Sequence, residues 1–174
     1  RSRSRSQRTS LCPRRWRGRS DVVGRWGRLD IVFANAGING VWAPLEELGP
    51  EEWRKTIDVN LTGSFLTLKY AVPHLKRRGG AVVITSSING TRVFSSSGAT
   101  AYACSKAGQV ALAKMAALEL AEFSIRVNVI CPGNITTAIE ESTERRHLDQ
   151  IDESINFPAG TIPLTGDVPG RPEQ

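Results

Sequence analysis

No stretch of the 174-residue chain approaches the roughly 18 consecutive apolar residues that a membrane-spanning helix requires. A transmembrane segment is therefore not expected. The first residues carry charge with no apolar run behind it, which is not the pattern of a secretory signal. Cysteine is scarce. Cys12, Cys104 and Cys131 lie far apart, without metal-ligand spacing. An odd number of thiols without a signal predicts free cysteines in a reducing, cytoplasmic setting. Histidine is scarcer still. His74 and His147 have no acidic or cysteine cluster beside them, and both read as helix-surface residues.

Charge is present but unevenly placed. Residues 1–28 hold ten arginines and one aspartate, a net of +9. The remaining residues hold 13 basic and 16 acidic side chains, a net of −3. The basicity thus belongs to one segment, residues 1–28, which shows neither helical nor strand periodicity. Too little apolar surface is available there to offset ordering entropy, so disorder is expected. Arginines on phosphates, with Trp16 free to stack, describe one function for such a tail, nucleic-acid binding. A solvated tail, or a stretch that is not native protein sequence, is the alternative.

From Leu29 the character changes, and residues 29–174 read as one domain with 40% hydrophobic content across the chain. The run Leu29 to Ala34 predicts a buried parallel strand entering a tight turn at Asn35-Ala36-Gly37. Residues 38–49 read as a loop. Pro50-Glu51-Glu52 predicts a helix start, with proline in the first turn and acids at the positive dipole end. That helix is expected to run to Lys76-Arg77-Arg78, to bend or break at Pro73, and to stop at Gly79-Gly80. Ala81 to Thr85 predicts a second strand, followed by Ser86-Ser87. Residues 88–98 read as a loop. A long helix is expected from about Ala99 to Glu122, with Val110, Leu112, Met115, Leu118 and Leu120 packing inward. Ile125 to Ile130 predicts a third strand, ending at Cys131-Pro132-Gly133. Residues 134–165 read as helix and loop. Alternating strands and helices mean an α/β fold with a doubly wound parallel sheet. Ligands bind at the carboxyl ends of such strands, so the three strand-end turns share one rim.

Tyr102 and Lys106 stand four residues apart on one helix face. An ammonium near a phenol favours phenolate and lowers its pKa from about 10. A phenol so tuned exchanges protons near neutral pH. Together with Asn35-Ala36-Gly37, Asn60 in Asp58-Val59-Asn60-Leu61-Thr62-Gly63, Ser87 in Ser86-Ser87-Ile88-Asn89-Gly90, and Pro132-Gly133-Asn134-Ile135-Thr136-Thr137, the sequence resembles the classical short-chain dehydrogenase/reductase family, and within it the 3-oxoacyl-carrier-protein reductases. The resemblance covers roughly residues 25–174 and rests on the order and spacing of these motifs.

It implies a Rossmann-like fold and an NAD(P)-dependent oxidoreductase that interconverts a secondary alcohol and a ketone. Tyr102 is then the acid/base, and Lys106 lowers its pKa and bonds the nicotinamide ribose. Ser87 holds the substrate oxygen, and Asn60 binds a water that links Lys106 to solvent. Asn35, Ala36 and Gly37 form the turn beneath the cofactor. Pro132, Gly133, Ile135 and Thr137 contact its nicotinamide and pyrophosphate side. The resemblance also implies a homo-oligomer. Ser86 competes with Ser87, because Asn89 occupies the place, thirteen before the tyrosine, where the family has serine. Ser-Ser-x-x-Gly favours Ser87 and leaves the extra residues in the 91–98 loop. Cys104 reads as a small packing residue. Trp42 and Phe94 line the substrate pocket or cover the core.

Two departures matter. The chain has no Thr-Gly-x-x-x-Gly-x-Gly turn, which places backbone N–H groups on a pyrophosphate. The residue that selects NAD or NADP follows that turn and is absent too, so the choice is not readable. The family's last strand is missing at the other end. The sequence thus reads as truncated at both ends, with residues 1–24 or so a shifted reading frame. Poor cofactor binding, and a catalytically inactive fragment, are the alternative expectation.

Overall fold

The computed structural model describes residues 21–91, 96–133, 135 and 137–151. The readings for residues 1–20, for Phe94, and for the segment beyond residue 151 lie outside the described residues. In chain order the elements are α1 (Asp21–Trp26), β1 (Ile31–Ala34), β2 (Gly40–Trp42), α2 (Pro50–Ile57), α3 (Gly63–Leu75), β3 (Gly80–Thr85), α4 (Thr100–Leu120), β4 (Ile125–Ile130) and β5 (Thr143–Arg145).

The three apolar runs form strands as expected. They pair in parallel in the order β1-β3-β4, with Ile31 opposite Ala81 and Val82 opposite Val127. Alternate strand residues face opposite ways. Val32, Ala34, Val82, Ile84, Ile125 and Val127 pack against Leu68, Ala71 and Leu75 of α3 and against Ala113, Ala116 and Leu120 of α4. Ile31, Phe33 and Ile130, on the other face, are exposed. The architecture is a parallel α/β sheet of the Rossmann-like kind. Among the described residues, helices cover one face only. Continuous apolar character had implied burial of β1 on both.

Four further readings are corrected. Helix α1 forms within residues 1–28, where disorder was expected. The helix from Pro50 runs on as expected, widening into a π-turn at Asp58–Thr62, where the Gly63 N–H bonds to the Asp58 carbonyl. Its α3 part runs through Pro73 to Leu75 without interruption, with Ala71 and Leu75 held in the core on either side. Helix α4 does not bury all its large apolar residues. Its inner face is Tyr102, Ser105, Lys106, Gln109, Ala113, Ala116 and Leu120, a spacing of three and four. Leu112 packs against the core, whereas Met115 is 64% and Leu118 75% exposed. Finally, part of the 38–49 loop is strand β2, which pairs in parallel with β5. Its partner lies about a hundred residues along the chain, so no local pattern announced it.

The 137–147 segment is held against the body by polar contacts. The Asn39 backbone N–H donates to Ser142 Oγ at 3.0 Å, and Asn39 Nδ2 donates to Thr143 Oγ1 at 2.7 Å. Arg146 donates to both Glu52 carboxylate oxygens and to the Glu47 carbonyl. Glu52 also caps the start of α2 by accepting the Gly49 N–H at 2.8 Å. Arg146 and this N–H together hold the Glu52 carboxyl below its usual range. His147, expected on a helix, lies outside one and sits 2.7 Å from Glu47 Oε2.

Candidate functional site

The carboxyl ends of β1, β3 and β4 meet the first two turns of α4. Here the inner face of α4 turns polar, because Tyr102, Ser105 and Lys106 follow one another at helical spacing. Lys106 is 2% exposed, and its Nζ donates to the Thr85 carbonyl at 3.0 Å. It also lies 5.5 Å from the centre of the Tyr102 ring. Burial lowers its pKa to about 8, with the Cys131 thiol pulling the other way.

Tyr102 is also buried. Its pKa lies above the ordinary value: burial is the main cause, the Glu140 carboxylate adds to it, and the Ser87 hydroxyl offsets part. This corrects the expectation of a lowered phenol pKa. A phenolate loses its hydration on burial, and here that cost outweighs the Ser87 hydrogen bond.

The two serines divide their work. Ser86 Oγ donates to the Lys106 carbonyl at 2.7 Å, so it fastens α4 to the end of β3. Ser87 Oγ accepts the Asn89 N–H at 3.2 Å and stands beside Tyr102. Gly90 lies so close to α4 that a Cβ there would be 2.5 Å from the Lys106 carbonyl carbon. Only glycine lets this turn press Ser87 toward the helix.

Asn60 sits in the π-turn and is fully buried. Its Oδ1 accepts the Ile38 N–H at 2.8 Å, and its Nδ2 donates to the Ile38 carbonyl and to Ser105 Oγ, both at 2.9 Å. Its carbonyl accepts from Ser64 Oγ at 2.7 Å and Gln109 Nε2 at 2.9 Å. With these bonds made inside the protein, Asn60 clamps the turn after β1. A Cβ on Gly37 would lie 3.3 Å from both Asn60 Oδ1 and Lys106 Nζ, so this turn touches the buried lysine. Asn35 Oδ1 accepts from Thr85 Oγ1 at 2.8 Å.

The structure therefore brings Asn35, Gly37, Asn60, Ser87, Tyr102 and Lys106 together. Ala36 is exposed on the same turn. Pro132 joins this group by accepting the Ile88 N–H at 3.1 Å, and Gly133 is next to it. Ile135 and Thr137 are exposed and farther along. Thr137 Oγ1 caps a short turn by accepting the Ile139 N–H at 3.4 Å. Cys104 is exposed rather than packed. Trp42 lies in β2 with the Arg145 guanidinium over its ring, 5.2 Å from the centre. Sequence reasoning missed Thr85, Ser105, Gln109 and Glu140. The signal for the middle two was the helical spacing of polar residues on the inner side of α4. Thr85 acts through its backbone and Glu140 through a fold contact, so neither had one.

Residues 18–147 match the family model described as short chain dehydrogenase. The chain belongs to the short-chain dehydrogenase family. Among its relatives, an uncharacterized NAD-dependent oxidoreductase of Mycobacterium tuberculosis is 45% identical over 70% of this chain and 44% of its own length. Trans-4-hydroxycyclohexanecarboxylate dehydrogenase of Sinomonas cyclohexanicum is 40% identical over 71% of this chain and 47% of its own. The crystal structure of a 3-ketoacyl-ACP reductase from Sinorhizobium meliloti superposes with a TM-score of 0.81 at 51% identity, covering 90% of this chain and 62% of that one. Carveol dehydrogenase of Mycobacterium avium, solved with NAD, gives 0.66 at 36% identity over 69% and 43%. The chain spans about half the length of the curated relatives it matches.

Proposed function

We propose that residues 29–174 carry the proton-transfer part of an NAD(P)-dependent oxidoreductase that interconverts a secondary alcohol and a ketone. The observation that carries this reading is the meeting of Tyr102, Ser87 and a buried Lys106 at the carboxyl rim of the sheet. Relatives named as dehydrogenases of trans-4-hydroxycyclohexanecarboxylate and of (-)-trans-carveol support the substrate class.

A bound nicotinamide nucleotide supplies the hydride in reduction and accepts it in oxidation. The residues present suit its nicotinamide side. A Cβ on Gly37 would crowd Asn60 and Lys106, Asn35, Ala36 and Gly133 are exposed at the rim, and Ile135 and Thr137 are exposed beyond it. Which nucleotide is used, NAD or NADP, is open. Tyr102, whose raised pKa keeps it protonated at neutral pH, donates its phenolic proton to the ketone oxygen in reduction. In oxidation its phenolate takes that proton back. Ser87 donates a hydrogen bond to the same oxygen and aligns the carbonyl. Lys106, still mostly cationic at pH 7 with a pKa of about 8, supports the phenolate as it forms.

A second reading is a chain that keeps these residues but binds nucleotide weakly, since it has no Thr-Gly-x-x-x-Gly-x-Gly turn. Calorimetric titration with NADH and NADPH separates the two. For the first reading, Tyr102→Phe lowers turnover of a cyclic secondary alcohol by about 10²–10⁴-fold with the fold unchanged by circular dichroism. A Phe variant as fast as wild type sinks it. Exposed Phe65, Met115 and Leu118 on α3 and α4 support a homo-oligomer through these helices, which sedimentation equilibrium tests. No helix among the described residues is long and apolar enough to cross a membrane, and a cytoplasmic location is proposed with the same reading.

A further inference from the structure

Gln109 is 0% exposed, two turns beyond Tyr102 on the inner face of α4. Its Nε2 donates to the Asn60 carbonyl at 2.9 Å and to Ser64 Oγ at 2.7 Å. Its Oε1 is buried with no hydrogen-bond partner among the described residues. A buried acceptor left unpaired costs about 1–3 kcal/mol, so an apolar residue of similar shape is the cheaper way to fill this site. Nor would such a residue strand another group. The Asn60 carbonyl keeps its bond from Ser64 Oγ at 2.7 Å. Stability alone therefore does not account for a glutamine here.

What Gln109 touches is the π-turn. A π-turn is a rare, wide winding, often found at functional sites, and insertion of a side chain into a helix ladder is one of the ways a helix is distorted. In this chain the inserted groups are Ser64 Oγ and the Gln109 amide, both on the Asn60 carbonyl. The winding aims the Asn60 side chain at the backbone of Ile38. Ile38 in turn adjoins Gly37, which packs so near the lysine that a Cβ there would lie 3.3 Å from Lys106 Nζ.

We infer that Gln109 is a positioning residue for the proposed reaction: its amide holds the π-turn in the form that lets Asn60 clamp the Asn35-Ala36-Gly37 turn against Lys106. The inference rests on the reaction proposed above for its purpose, but its geometry is testable without nucleotide.

The test compares the wild-type chain with Gln109→Met and Gln109→Glu. Gln109→Met removes the amide and the orphan acceptor together. Its thermal midpoint is expected to equal or exceed that of wild type, while the Ile38 amide exchanges with deuterium about tenfold faster by NMR, a local opening. Gln109→Glu keeps the shape. Buried beside the neutral Asn60 and Ser64, its carboxyl stays protonated and donates to the Asn60 carbonyl. Ile38 protection returns to within about twofold of wild type, since a donor is restored. A purely structural glutamine predicts the opposite pattern. A lower midpoint or loss of folding in Gln109→Met, unchanged Ile38 exchange, or a folded Gln109→Glu that exchanges like Gln109→Met each overturn the inference. None of these readouts involves turnover, so they fail separately from the Tyr102→Phe assay.

Discussion

Lys106 sets up a measurable conflict between stability and charge. The residue is nearly fully buried, and the only hydrogen bond of its ammonium among the described residues is to the Thr85 carbonyl. Around its ammonium stand Tyr102 on the same helix and Cys131 after β4, and no carboxylate among the described residues pairs with it. Burial takes its pKa from 10.5 to about 8. In the unfolded chain the lysine binds a proton up to about pH 10.5; in the folded chain it releases it near pH 8. Between those values the unfolded state holds more protons, so stability rises with pH across the window. The unfavourable charge is fully present below pH 8 and relieved as pH climbs. At about 1.4 kcal/mol per pH unit, the full gain is about 3 kcal/mol, most of it reached by pH 10. Other titrating groups overlay this signal, and Lys106→Met cancels them. Urea denaturation of wild type and variant at pH 7, 8, 9 and 10 is the assay. The stability difference should move in favour of wild type by about 2–3 kcal/mol over that range. A difference that stays flat within about 0.5 kcal/mol would refute the claim that Lys106 carries its charge into a dry site.

The serine pair offers a second check. Ser86→Ala breaks a buried bond to the Lys106 carbonyl and is expected to lower stability by about 1–3 kcal/mol. Ser87→Ala loses the cap on the Asn89 N–H, is expected to cost about 0.5–2 kcal/mol, and lowers turnover well beyond that loss, as urea melts and alcohol-oxidation rates of both variants show. At Gly90, a new Cβ would overlap the Lys106 backbone at 2.5 Å. Gly90→Ala should lower the thermal midpoint by several degrees, about 1–3 kcal/mol of overpacking, and an unchanged midpoint contradicts the close approach of that turn to α4.

Local sequence carried much of the frame. Strand runs such as Val82 to Ile84, all β-branched, and Ile125 to Ile130, with β-branched residues at 125, 127, 129 and 130, carry strand preference in their local pattern. Tyr102 and Lys106 share a helix face by geometry alone, and the strand-end turns fall on one rim because parallel strands all point the same way. These features depend on neighbours within a few residues, so a linear pattern records them.

What the pattern did not record depends on partners distant in the chain. Whether Ser86 or Ser87 faces the tyrosine was decided by which hydroxyl reaches the Lys106 carbonyl. The pairing of β2 with β5 joins segments with no shared local signal. Met115 and Leu118 read as core but lie outside, because the sheet and α3 take up the side of α4 that holds alanines and polar residues. The π-turn around Asn60 arises where Gln109 and Ser64 reach its carbonyl. The sequence by itself determined which residues are candidates for the proposed proton transfer and on which elements they sit. Only the tertiary structure decided their protonation and their partners. Burial of a charge and the pairing of a hydrogen bond are properties of the surrounding packed atoms, and those atoms come from all along the chain.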